Sequence, residues 1–238
     1  MKPSETIEAI KEFFLDIIGY LIPGTVALSF ILLCVPNFTF DIILNKVKVE
    51  PTSIYLIVSY GLGYVVYGLA AIRDQIAEKL KWIDTPKQVS AKIKDSLQYK
   101  MAVEILKSLW DKSDLISKDK EDLEKFDMRE TRSAVMAYIP EVDTKIYTFM
   151  FRSELCNHLN VLLLLISVLG LLSFVLIKIF PSAIFLKLDD GYMTFYLIAF
   201  LVSILLYKTR MRFLRITYNI PFTIFIAKYH PIPKPSKK

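Results

Sequence analysis

The sequence predicts an all-α membrane protein: four transmembrane helices, with a cytoplasmic helical domain between spans 2 and 3. Three observations carry this. The run from Asn160 to Phe180, NVLLLLISVLGLLSFVLIKIF, holds no charge before Lys178. At helical rise it covers about 31 Å, the thickness of a bilayer's hydrocarbon core. The chain is 54% hydrophobic with mean hydropathy +0.42, where soluble domains of 238 residues usually fall below zero. Finally, three more apolar runs flank a polar block, Arg73–Cys156, that carries 16 basic and 16 acidic residues.

Residues 4–22 have a helical pattern, with Ile7, Ile10, Phe14, Ile17, Ile18 and Leu21 on one face. Glu5, Glu8, Glu12 and Asp16 form the opposite stripe. These acids, and the lack of a small-residue cleavage site, set the segment apart from a signal peptide. Pro23-Gly24 then interrupts a continuous apolar stretch. Proline removes one main-chain hydrogen bond and crowds the carbonyl of Gly19, so a bend is expected before the apolar half resumes through Val35.

Residues 36–52 read as a short loop, with a small strand as an option. The second span is expected at Ser53–Ile72, where Gly61 and Gly68 share a face and suit close helix packing. Its helix should continue as IRDQIAEKLKW and stop at Asp84. Thr85-Pro86 starts the next helix, a capping residue followed by proline at the first helical position. Val89, Ile93, Leu97, Met101, Ile105 and Leu109 recur every four residues, which predicts one amphipathic helix ending near Trp110. A further helix is expected over 120–138, and one from Glu141 that runs into the third span. A polar block of about 80 residues holds little core alone, so it is expected to pack against copies of itself. The fourth span is Gly191–Tyr207, ending at Lys208, Arg210, Arg212 and Arg215. Pro221 is expected to break any helix there, leaving FTIFIAKYH as a membrane-surface segment.

The chain therefore divides into 1–72 (an amphipathic N-terminal helix with spans 1 and 2), 73–158 (the cytoplasmic domain), 159–207 (spans 3 and 4) and 208–238 (a basic cytoplasmic segment). Basic residues cluster at Arg73, Lys79, Lys81, Arg152 and after Tyr207, while the loops at 36–52 and 181–190 hold three between them. The positive-inside rule then puts both termini and the 73–158 domain in the cytoplasm, and a net charge of +6 needs no nucleic acid to explain it.

Chemical motifs are sparse. There is no Gly-rich phosphate loop, no GxSxG elbow and no CxxC, and charge stays at the ends of the spans, so no enzyme, cofactor or metal is expected. Glu154 and His158, four apart, could offer two metal ligands but lack a third, and boundary residues satisfied by neighbours or headgroups are the commoner case. Asp111–Asp122 has Leu115 and Ile116 where a calcium loop needs an oxygen donor and glycine, which rules that site out. The informative constellation is a pair of opposed stripes. Glu8, Glu12 and Asp16 could ring a cation vestibule in an oligomer, with Asp16 the deepest. Lys208, Arg212 and Arg215, with Arg210, could bind a phosphate-bearing ligand. Pairing of the two stripes inside one protomer is the simpler alternative.

Three stretches, YLIPGTVAL (Tyr20–Leu28), SYGLGYVVYGL (Ser59–Leu69) and FRSELCNHLN (Phe151–Asn160), together with the four-span layout, resemble small membrane effectors of bacterial anti-phage defence. The likeness is to the transmembrane effectors of the Hailong system. The resemblance implies a homo-oligomeric channel in the inner membrane, taken here as a tetramer. It also implies control by an oligonucleotide or cyclic nucleotide made by a partner nucleotidyltransferase. No ligand-binding residue carries over from that family. A non-conducting scaffold that recruits a cytoplasmic partner through residues 85–140 is the alternative.

Overall fold

The computed structural model describes residues 3–35, 50–81, 84–112, 127–177, 179 and 186–229; of residues 3–16, 51, 111, 112, 141, 143 and 190 it describes the backbone alone. Among the described residues every regular element is helical. These are α1 (Pro3–Cys34), α2 (Pro51–Leu80), α3 (Pro86–Lys94), α4 (Leu97–Lys112), α5 (Met128–Ala137), a 3-10 turn (Pro140–Val142), α6 (Asp143–Leu176) and α7 (Asp190–Tyr229). Stretches of α1, α2, α6 and α7 are each long and apolar enough to cross a membrane. The expected strand in 36–49 and the start of the helix expected over 120–138 lie outside the described residues.

Two compact units emerge: Met1–Ile76 with Glu154–Arg210, and Ala77–Ser153 with Met211–Lys238. The first is built from α1 and the apolar parts of α2, α6 and α7. Its core gathers Ala27, Val66, Leu162, Ile166, Leu186 and Tyr196. Leu, Ile and Val elsewhere on α2, α6 and α7 are exposed, for example Ile57, Val65, Leu172, Leu201 and Leu205. Such a surface suits hydrocarbon as its solvent. Gly170 lets α6 take the flat ring of Tyr196, because a Cβ there would lie 2.4 Å from the ring.

The second unit holds α3, α4, α5 and the last part of α7. Thr85 caps α3 as its sequence predicts: the Thr85 hydroxyl accepts from the Gln88 N–H and Gln88 answers the Thr85 N–H, with Pro86 opening the helix. Asp127 and Glu130 form the same reciprocal cap on α5. Two expectations fail here. The helix foreseen from 86 to 110 is two helices, broken where Ser96 Oγ accepts from the Tyr99 N–H. A strict four-residue repeat drifts about 40° per turn against the 3.6-residue helix, so one straight helix could not bury the whole series. The break re-aims the chain. Val89 and Ile93 are buried, then Tyr99, Ala102 and Leu106, while Leu97 is 70% exposed. The second failure is at Pro221, through which α7 runs without interruption. Phe222 and Phe225 just beyond it are fully buried, the first edge-on to Tyr99 and the second beside Tyr138. That burial repays a missing main-chain bond. It also completes the domain's core from within one chain.

Candidate functional site

The first unit brings together parts of all three stretches singled out in the sequence. α1 crosses α2 with backbones almost touching. A Cβ on Gly24 would lie 1.6 Å from the carbonyl oxygen of Ser59, and one on Gly63 would lie 2.1 Å from that of Tyr20. Only glycine permits this approach at either position. Pro23 is buried, and Gly24 beside it is a packing residue in this structure. Gly61 and Gly68 are not, within one chain: both are exposed, and nothing lies within 4 Å of a Cβ at either. The partner of Gly24 is Gly63, offset from Gly61 by about 200° on the helix and so on the other face.

Where the apolar run of α2 ends, a charged cluster is partly buried. Arg73 and Asp74 are adjacent in sequence, and Arg210 comes from α7. Arg210 donates to Asp74 through both terminal nitrogens, at 2.9 Å to Oδ1 and 2.6 Å to Oδ2, and is itself only 2% exposed. Arg73 donates to the same carboxylate and to the side-chain oxygens of Asn157 and Asn160 on α6, and lies over the ring of Tyr207. The amide of Asn160 passes the chain of bonds on to the Ser203 carbonyl at 2.7 Å. Asn157 donates to Glu154 at 3.3 Å. Two guanidiniums thus share one carboxylate, and two asparagine oxygens accept further bonds from Arg73. Fork-shaped guanidinium geometry is what makes the two-point contact with Asp74 possible.

A ring of aromatics adjoins the crossing. Tyr20 stacks on Tyr64 at 4.2 Å and meets Tyr60 and Tyr67 edge-on. His158, 5% exposed, lies 5.2 Å from the Tyr67 ring. Its Nε2 is 4.0 Å from Glu154 and makes no hydrogen bond. Among the described residues no group of three metal-ligating side chains occurs.

The basic residues expected to bind ligand divide into different roles. Arg210 is committed to Asp74, and Arg215 donates to Asp84 at 3.2 Å. A hydrogen bond from Lys92, backed by Arg215, holds the Asp84 carboxyl below the usual carboxylate range. Lys208 and Arg212 are exposed. Glu8, Glu12 and Asp16 lie in the N-terminal half of α1, but their side chains fall outside the described residues.

Sequence reasoning missed Asp74, Asn157 and the pairing of Arg210. A signal was present: Arg73-Asp74 are the first charges after an apolar run, and Asn157 and Asn160 are three apart at the polar start of another. Compared with known protein families, with curated proteins and with solved structures, the chain matches none.

Proposed function

We propose that this chain is a subunit of a homo-oligomeric, ion-conducting membrane effector of bacterial anti-phage defence, switched by a nucleotide that a partner nucleotidyltransferase makes. The observation carrying this is the partly buried Arg73–Asp74–Arg210 cluster at the end of apolar helices. Charges at such positions cost several kcal/mol unless paired, and they usually mark a path or a gate. The cluster ties α2 to α7 and, through Asn157 and Asn160, to α6. Breaking or keeping it is a two-state choice of the kind a gate needs.

In this proposal the acidic face of α1, Glu8, Glu12 and Asp16, rings the cation vestibule of a tetramer. Lys208 and Arg212, exposed on α7, offer charge to a phosphate-bearing ligand. The chain sits in the inner membrane with both termini and the 73–158 domain cytoplasmic, supported by the flanking basic residues. Purified protein in liposomes should pass cations when given the partner's nucleotide product, and Asp16→Asn should change their selectivity. Absence of flux with and without nucleotide would remove the proposal.

One observation favours the scaffold alternative. The second unit has its own core yet leaves Leu97 70% exposed, a foothold for a cytoplasmic partner on residues 85–140. Capture of a partner by the intact protein in the absence of any flux would decide for it.

A further inference from the structure

The C-terminal end of α1 meets the start of α7 where both helices pass from apolar to polar sequence. Hydrogen bonds fix the junction. The Lys187 N–H donates to the Cys34 carbonyl at 2.8 Å, and the Tyr192 hydroxyl to the Leu33 carbonyl at 3.1 Å. These two donors satisfy carbonyls that the end of a helix leaves open. The Tyr196 hydroxyl donates to the Lys187 carbonyl at 3.1 Å. Asp189 caps α7, its Oδ1 accepting from the Tyr192 N–H at 3.0 Å. Between these elements lies a groove of about 290 Å³, lined by Leu33, Cys34, Asp189, Gly191, Tyr192 and Phe195. Its walls are hydrocarbon and ring, with Leu33 and Phe195 both exposed. Its rim carries two charges of opposite sign. The Lys187 ammonium lies 5.8 Å from the centroid of the Tyr192 ring, and Asp189 is exposed. Each charge engages Tyr192, one its ring and the other its N–H, rather than the other charge. The cap uses Oδ1 alone, which leaves Oδ2 at the rim.

We propose that this groove binds the headgroup of a zwitterionic phospholipid with a primary ammonium, of the phosphatidylethanolamine class. The ammonium donates to Asp189 Oδ2, the phosphate accepts from the Lys187 ammonium, and the start of one acyl chain lies along Leu33 and Phe195. A carboxylate and an ammonium that leave each other unpaired match a dipolar headgroup and disfavour an anionic one. The carbonyl end of α1 and the N–H end of α7 meet here, adding partial charges of the same two signs. Both helices are long and apolar enough to cross a membrane, so their shared end lies at headgroup level, where tyrosines gather. The volume falls at the small end of ligand sites, roughly 300–1,000 Å³, and so suits a headgroup rather than a whole lipid. The site does not rest on the channel function proposed above.

The test is lipid retention by the full chain in detergent, read by native mass spectrometry. The probes are phosphatidylethanolamine, phosphatidylcholine and phosphatidylglycerol with identical acyl chains. The first should be retained about three- to fivefold better than the other two. Choline has no N–H to give Asp189, and the glycerol headgroup has no cation. Asp189→Asn keeps the cap and loses the charge, so it should erase the preference over phosphatidylglycerol. Lys187→Gln should lower retention of all three lipids by a similar factor, since each carries a phosphate. Equal retention of the three by the wild type, or a preference that survives Asp189→Asn, would overturn the inference. Full competition by phosphoethanolamine without chains would also overturn it, marking a soluble ligand in place of a lipid. Should Asp189→Asn fail to fold, Lys187→Gln decides, because its main-chain bond to Cys34 is untouched. Unchanged retention in that variant removes the site.

Discussion

Asp74 accepts one hydrogen bond on each carboxylate oxygen from Arg210, 136 positions further along the chain. The pair joins two helices that the sequence separates by the whole polar block. Removing one member leaves the other charged and buried, whereas replacing both with apolar residues does not. Asp74→Ala is therefore expected to destabilise by about 3–5 kcal/mol, and the double change Asp74→Leu with Arg210→Met by much less. Thermal unfolding of the detergent-solubilised protein measures both. A double change as damaging as the single would show that the damage does not come from a stranded charge.

The glycines divide by environment. Gly24→Ala, Gly63→Ala and Gly170→Ala each force a methyl into space already filled by backbone or by the Tyr196 ring. Each should cost at least about 1–3 kcal/mol. Gly61→Ala and Gly68→Ala meet open space and should stay within about 0.5 kcal/mol of wild type in protomer stability. Size-exclusion with light scattering on the last two asks a separate question. Loss of an oligomer there, with stability unchanged, would give Gly61 and Gly68 the packing role between copies that they lack within one.

In the second unit, Phe222→Ala should cost about 3–5 kcal/mol, since the ring is fully buried against Tyr99. Leu97→Gln should be nearly silent, within about 0.5 kcal/mol, despite Leu97 fitting the same apolar repeat as Ile93. Chemical denaturation followed by tryptophan fluorescence compares the two. A costly Leu97→Gln would mean that this residue is covered in the native assembly.

Charge pairs outside the apolar helices set the pH limits. The Lys92 hydrogen bond lowers the Asp84 carboxyl, so its contribution is present above the unfolded value near about pH 4 and fades as pH falls through the lower folded one. Glu78 raises the Lys87 ammonium, whose contribution is present below about pH 10 and is lost as pH rises through the higher folded value. Between these limits both pairs leave stability flat. Asp84→Asn should remove part of the acid-side dependence and leave the alkaline side unchanged, read as unfolding midpoints across a pH series.

Local chemistry was legible where one residue decides the outcome. Thr85-Pro86 announces its cap because the hydroxyl and the proline act within four residues. The apolar run of α6 announces a helix because nothing polar interrupts it. Pro221 misled for the same reason: the rule about proline is local, and the burial of Phe222 and Phe225 that overrides it depends on α4 and α5, far away in sequence. Spacing gives Gly61 and Gly68 a shared face without saying which face meets a neighbour, and within one chain that face is open. Arg210, one of four basic residues after the fourth span, differs from Lys208 and Arg212 only through Asp74, and no spacing rule predicts a partner on another helix.

The fully buried Phe222 and Phe225 also dictate an order of events during synthesis. The segment 77–153 emerges from the ribosome well before residues 211–229, yet its core is finished only by them. At typical translation speeds of about 5–20 residues per second, that segment waits several seconds with Tyr99 and Tyr138 uncovered. Meanwhile the helices at 143–176 and 190–210 must be delivered to their surroundings. Docking of the final stretch of α7 is thus a checkpoint: a nascent chain stalled before Phe222 would present an unfinished hydrophobic surface to chaperones and proteases, and a chain that passes it closes that surface with its own last helix.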